Sequence, residues 1–189
     1  KVVRSADELD TSLRQARGEA KAAFGDDTIY IEKYLKTPRH IEIQVLGDGN
    51  GKVIHLGERD CSLQRRNQKI LEEAGSAGIN DSQRDEIGAT VCKALSELNY
   101  RNAGTVEFLY ENGEFYFIEM NTRLQVEHPI TELVTGLDIV REQIRLAAGT
   151  PLSMTQADVN FSGHAMECRI NAESPDNFIP CPGKVTDYH

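Results

Sequence analysis

The stretch GTVEFLYENGEFYFIEMNTRLQVEH, residues 104–128, decides the fold. It reads as a β-hairpin that runs into a polar segment. Thr105–Tyr110 and Glu114–Met120 are rich in β-branched and aromatic residues, and Asn112 followed by Gly113 is a hairpin turn signal. A three-residue loop, 111–113, puts Gly113 at the left-handed position. It pairs Tyr110 with Glu114 and Thr105 with Glu119, and sets Glu107 and Glu119 diagonally on one face, roughly 7–8 Å apart at Cβ. A loop of two or four residues instead puts the two carboxylates on opposite faces, because side chains alternate along a strand.

Both faces of this hairpin are apolar. One carries Leu109, Phe115 and Phe117; the other carries Val106, Phe108, Tyr116 and Ile118. Strands of that kind are covered on both sides, and carboxylates there need partners or a hard cation. Asn121, two residues beyond Glu119, adds an amide oxygen from the same direction. Glu107, Glu119 and Asn121 together suit Mg²⁺ or Mn²⁺ shared with substrate phosphates; an ordinary sheet with charged ends is the competing reading. Arg123, Gln125 and Glu127 follow at alternate positions and share a face if extended. A guanidinium beside a carboxylate can hold a small planar anion while the carboxylate takes its proton; a surface ion pair is the plainer alternative.

The run EMNTRLQVEHP, residues 119–129, resembles the signature of biotin carboxylase, the ATP-grasp component of biotin-dependent carboxylases. ERDCSLQRRNQK at 58–69, YIEKYL at 30–35 and ECRINAE at 167–173 resemble three further motifs of that family, in the family's order. The resemblance covers essentially the whole chain. It implies an α+β class and an ATP-grasp fold, an antiparallel sheet flanked by helices. Residues 1–150 would be the C-terminal part of the ATP-grasp domain, with 1–33 ending the small lobe and 34–150 forming the large lobe. Residues 151–189 would be a linker and the first strands of the C-terminal domain. It also implies an internal piece of a longer chain, with a glycine-rich phosphate loop and two ATP-contacting lysines upstream.

The resemblance carries roles to particular residues. Glu32, Lys33 and Leu35 meet the adenine, and His40 the ribose. Gln64, Asn67, Leu109, Gln125 and Val126 line the nucleotide site. Lys69 and Arg123 hold phosphate or bicarbonate, Glu127 is the base, and Arg169 reaches in from the following domain to stabilise carboxyphosphate and the biotin enolate. Asn67 stands where many members have His, so altered ATP affinity is expected. The implied reaction is ATP- and bicarbonate-dependent carboxylation of carrier-bound biotin. The implied partners are a biotin carboxyl carrier, a carboxyltransferase and a second copy in a homodimer. Two alternatives share some of these residues: a carbamoyl-phosphate-type ATP-grasp ligase, and a non-catalytic ATP-binding module.

Composition is compatible with this. At 189 residues the chain can bury a core of its own, and its net charge of −9 is the wrong sign for a nucleic-acid footprint. No apolar run approaches the length of a membrane span. Cys61, Cys92, Cys168 and Cys181 are scattered without CxxC spacing, which points to a reducing compartment. The cytoplasm is the expected location, with mitochondrial matrix and plastid stroma equally compatible.

The remaining elements are read from periodicity. Ser5 with Glu8 predicts a capping box for a helix that Gly25 ends. Thr28–Leu35 is expected as a strand. His40–Leu46 alternates and reads as a half-exposed strand with His40, Glu42 and Gln44 outward. Gly47–Gly51 turns it into a second strand, Lys52–Gly57. The charge run 58–73 is expected to be a solvated face with a local positive island at 65–69. Helices are expected over 80–99, covering the hairpin sheet, and over 131–148, with Ile139, Val140, Ile144 and Ala147 as its stripe. His164–Ile170 and 183–189 are expected as strands, separated by a proline-rich loop.

Overall fold

The computed structural model describes residues 1–184, 186 and 187. The chain divides into two units, Lys1–Thr37 and a larger one from Pro38 on. In the first, helix α1 spans Ala6–Phe24 and ends on Gly25 at φ 75°. The expected capping box is not made: Ser5 offers no side-chain bond, and the Glu8 carboxylate accepts from the N–H of Arg4 at 2.9 Å instead. Residues 28–35 do not form a strand. β-Branched residues there favour extended backbone, but a strand also needs a hydrogen-bonding neighbour, and no described strand pairs with this segment.

The second unit is a six-stranded antiparallel sheet flanked by helices, an α+β arrangement. Its strands are β1 (Arg39–Asp48), β2 (Val53–Arg65), β3 (Gln68–Ala74), β4 (Arg101–Glu111), β5 (Glu114–Asn121) and β6 (Ala165–Cys168), in the spatial order β5-β4-β1-β2-β3-β6. Helix α2 (Asp81–Glu97) starts on a capping box between Asn80 and Gln83. It packs Val91 and Leu95 against Ile43, Val45, Val106 and Phe108, on one face of the sheet as expected. Helices α3 (His128–Thr135) and α4 (Ile139–Ala147) replace the single helix expected over 131–148. Gly136 at φ 70° ends the first, and the Asp138 side chain caps the second by accepting from Arg141 N–H at 2.8 Å. The break rotates the apolar stripe. Ile139 and Leu146 join Leu46, Ile54, Leu56 and Ala103 in the core of the other face, while Val140 and Ile144 stay outside.

Two strand expectations change at the sheet centre. His40–Leu46 is not half exposed: Glu42 and Gln44 are both 0% exposed. The charge run is not a solvated face either. Residues 58–65 continue β2, and the chain turns at Arg66 and Asn67, with φ 52° and 63°, into β3. Glu58, Arg59 and Asp60 are buried. Both corrections have one cause. The alternating polar side chains of β1 and β2 face each other's charges, so they neutralise one another inside the sheet rather than in water. β6 hydrogen-bonds to β3, which makes it an edge strand of this same sheet. The strand expected over 183–189 is absent from its described residues, and Val185, Tyr188 and His189 lie outside them.

Candidate active site

The hairpin register differs from the three-residue-loop expectation. Asn112 and Gly113, at φ 55° and 87°, make a two-residue turn that pairs Glu111 with Glu114. Left alone, this register would face Glu107 and Glu119 oppositely. A bulge restores them: Phe108 pairs with Phe117, but Glu107 pairs with Glu119, so Ile118 is an extra residue. The two carboxylates are therefore directly opposite rather than diagonal. Like charges directly opposite are destabilising by roughly 0.2–1 kcal/mol. Here the row extends further, because Glu107 also pairs with Glu42 of β1, and Glu42 with Arg59 of β2. Three glutamates thus cross three strands and end on a buried guanidinium.

A second bulge turns Arg59 inward. Between β1 and β2 the register slips so that Ile43 pairs with Glu58 but Val45 with His55, and Gly57 sits in the slip at φ 82°. Arg59, fully buried, then binds five side chains. Its Nη1 donates to Gln44 Oε1 at 2.7 Å and Thr131 Oγ1 at 3.1 Å; its Nη2 donates to Glu42 Oε2 at 3.1 Å, Thr105 Oγ1 at 3.1 Å and Gln125 Oε1 at 3.0 Å. Gln125 passes the order on, donating from Nε2 to Glu107 Oε1 at 2.8 Å.

Above this floor, Lys69 Nζ binds Glu42, reaches Glu107 Oε1 at 3.2 Å and donates to Glu127 Oε1 at 2.8 Å. The other Glu127 oxygen accepts from Arg169 Nη2 at 2.8 Å. His40 Nε2 lies 2.7 Å from Glu107 Oε2 and 3.3 Å from Glu42 Oε1. Burial pushes His40 down, but the bonds to Glu107 and Glu42 outweigh it and lift it to about 9. Burial pushes Glu42 up, and His40, Arg59 and Lys69 together hold it well below the usual carboxylate range. Burial likewise opposes the charge on Lys69, and Glu42 and Glu127 hold it above its ordinary value. Glu107 is held low against burial, with the His40 bond as the leading cause.

His40, Lys69, Glu107, Glu127 and Arg169 line one cleft of about 500 Å³. It gathers Lys69, Arg123, Glu127 and Arg169, the nucleotide candidates His40, Gln64, Asn67, Gln125 and Val126, and the metal candidates Glu107, Glu119 and Asn121. Arg123 does not pair with Glu127. The segment after Asn121 is not extended as far as Glu127, which turns to become the N-cap of α3. Arg123 stays exposed at the cleft rim, with Nη1 donating to Leu124 O at 3.2 Å. Leu109 pairs with His40 across β1 and β4, outside the cleft lining. Glu32, Lys33 and Leu35 belong to the unit Lys1–Thr37. The residues that sequence reasoning missed are Glu42 and Arg59. The hairpin turn at 47–51, which folds 40–46 back on 53–60, is the signal that brings Glu42 to Arg59.

The donor set fits a hard divalent cation. Glu107, Glu119 and Asn121 converge: Asn121 Nδ2 donates to Glu107 Oε1 at 2.9 Å and Glu119 Oε1 at 3.2 Å. Turning that amide over brings Oδ1 to the same point, giving three oxygen donors on one face.

The model of the carbamoyl-phosphate synthase L chain, ATP binding domain, matches residues 1–155. The chain belongs to this family. Within this ATP-binding family it is 59% identical over 189 residues to the biotin carboxylase of Haemophilus influenzae, a match covering 100% of this chain and 42% of that protein. The biotin carboxylase domain of a thermophilic 2-oxoglutarate carboxylase, bound to bicarbonate, superposes with a TM-score of 0.92 at 52% identity, over 95% of this chain and 41% of that one. The dimeric biotin carboxylase domain of the Hydrogenobacter thermophilus 2-oxoglutarate carboxylase, in complex with MgADP, ADP and bicarbonate, gives 0.83 at 53% identity, over 95% and 40%. The chain thus spans about 42% of the length of the Haemophilus relative it matches.

Proposed function

We propose that this chain is the bicarbonate- and metal-handling part of a biotin carboxylase. The observation that carries the reading is Glu127 held between Lys69 and Arg169, beside a row of carboxylates that ends on Arg59. Identity above half over the whole chain supports it, since the relatives compared are biotin carboxylases or the biotin carboxylase domains of larger carboxylases.

In this reading Lys69, Arg123 and Arg169 hold bicarbonate against Glu127, which takes its proton. The bicarbonate oxygen attacks the γ-phosphorus of ATP and ADP leaves, giving carboxyphosphate. That breaks down to CO₂ and phosphate. The phosphate takes the proton from the biotin ring nitrogen, and the nitrogen attacks CO₂. Arg169 offsets the charge that develops on the biotin enolate. Glu107, Glu119 and Asn121 would hold Mg²⁺ or Mn²⁺, which would neutralise charge on the nucleotide phosphates. His40, Gln64, Asn67, Leu109, Gln125 and Val126 serve the nucleotide, with Glu32, Lys33 and Leu35 at the adenine.

The partners follow from the reaction: a biotin carboxyl carrier, a carboxyltransferase, and a second copy of the chain in a homodimer. The domain division at about residue 150 and a cytoplasmic or organellar setting belong to the same proposal. Among the described residues no helix is long and apolar enough to cross a membrane. A carbamoyl-phosphate-type ligase shares the family and the carboxylate hairpin but uses a different acceptor.

The test is Glu127→Gln in the full-length protein. General base catalysis contributes about 10²–10⁴-fold. Bicarbonate-dependent ADP release should therefore fall at least about 100-fold, with MgATP binding within a few-fold of normal. Unchanged turnover would remove Glu127 from the role of base.

A further inference from the structure

One buried carboxylate beside the cleft has no part in the reading above. Glu72 of β3 is 0% exposed. Its Oε1 accepts from Arg169 Nε at 2.5 Å, while its Oε2 has no hydrogen-bond partner among the described residues. Glu167 stands directly across the β3–β6 ladder from it. Burial raises Glu72 above the ordinary carboxylate value, against the pull of Arg169. A carboxylate buried beside another, with one oxygen unsatisfied, is costly to the fold.

The chain makes a third bulge to place it. Gln64 pairs with Lys69 and Leu63 with Leu71, so Ile70 is the extra residue. The bulge turns Lys69 and Glu72 to the same side of β3. The carbonyl of Ile70 itself accepts the backbone N–H of Arg169 at 3.0 Å. Arg169 is therefore tied to β3 at its backbone by Ile70 and at its Nε by Glu72. Its Nη2 end is left for Glu127.

We infer that Glu72 is the positioning residue for Arg169, fixing the plane of the guanidinium so that its Nη edge faces Glu127 and the anion in the cleft. The need arises from where Arg169 sits. It follows a four-residue edge strand and precedes Ile170, which is 91% exposed. A long side chain there loses rotamer freedom when ordered, and one carboxylate that must also meet bicarbonate is a poor sole anchor. With Nε held, the fork can give up Glu127 for the anion without swinging away. This rests on the biotin carboxylase reading for its catalytic consequence, not for its geometry.

The experiment compares Glu72→Met, Glu72→Gln, Arg169→Gln and the double variant E72M/R169Q in the full-length protein. It measures biotin-dependent ADP release and the crystal structure of each Glu72 variant. The Met variant should lose about 30-fold in kcat with KM for ATP within twofold, since small misplacements of a catalytic group carry penalties of that order. Its structure should show Arg169 off Glu127. The Gln variant keeps an Oε1 acceptor and should stay within about fivefold of wild type. In the Arg169→Gln background, removing Glu72 should cause no further loss, as for two residues acting as a unit.

A Met variant within twofold of wild type, or losses that add in the double variant, would overturn the inference. Should the Met variant not fold, the Gln variant decides. Retained activity with the Nε bond in place supports positioning; a loss beyond about 30-fold with that bond in place overturns it. If wild type shows no biotin-dependent ADP release, the carboxylase reading falls. The structures of the variants still decide whether Glu72 holds Arg169.

Discussion

Arg59 and Glu42 show how much of the site depends on residues beneath the cleft lining. Both are fully buried, and Arg59 also fixes Gln125, which orders Glu107. Removing one partner of a buried pair strands the other charge, at about 3–5 kcal/mol. Arg59→Met should cost that much in urea unfolding, because Gln44, Thr105, Thr131 and Gln125 lose their donor along with Glu42; Glu42 keeps Lys69, so adding Glu42→Leu should not recover the loss. A single variant within 1 kcal/mol of wild type would show that the pair is not what holds the floor. Glu58 behaves differently. Burial raises it above its ordinary value, against the Ser76 N–H bond. A carboxyl raised in the folded state contributes fully below its unfolded pKa and loses that contribution as pH rises through the folded one. Glu58→Gln keeps an acceptor for Ser76 and has no charge to bury, so it should gain on wild type as pH rises from about 4 to 7. A stability difference that is flat with pH would contradict this. Motif residues such as Glu127, Lys69 and Arg169 were legible in the sequence because their types and order are distinctive. Arg59 and Glu42 were not, because a charged residue in an alternating strand looks the same whether its partner is water or another strand.

Three strand irregularities decide which way the chemistry points. The slip at Gly57 turns Arg59 inward, the bulge at Ile70 aligns Lys69 with Glu72, and the bulge at Ile118 brings Glu119 opposite Glu107. Period-2 reading found β4 and β5 and their turn, yet it could not see an inserted residue, and one inserted residue reverses every side chain beyond it. For the same reason the expected three-residue loop gave the right shared face with the wrong register. Likewise Gly136 broke a helix that its apolar spacing favoured. Gly57 is the irregularity easiest to probe. Its φ of 82° is strained for any L side chain, and a Cβ there would lie 2.6 Å from the Phe161 ring. Gly57→Ala should lower stability by more than about 2 kcal/mol, since left-handed strain and overpacking each carry about 1–3. A loss under 0.5 kcal/mol would mean that the slip tolerates a side chain and that Arg59 is held by other means.

Across the whole molecule the charge is divided. A chain of net charge −9 gathers Lys69, Arg123 and Arg169 at one cleft, next to carboxylates that suit a divalent cation. That division fits a site where a small anion and a metal-bound nucleotide meet. The direct measurement is ADP release by the full-length protein with bicarbonate present and free biotin added or withheld. Release that needs both is the predicted result. ATP hydrolysis indifferent to biotin would contradict the account and point to a ligase of the same family with a different acceptor.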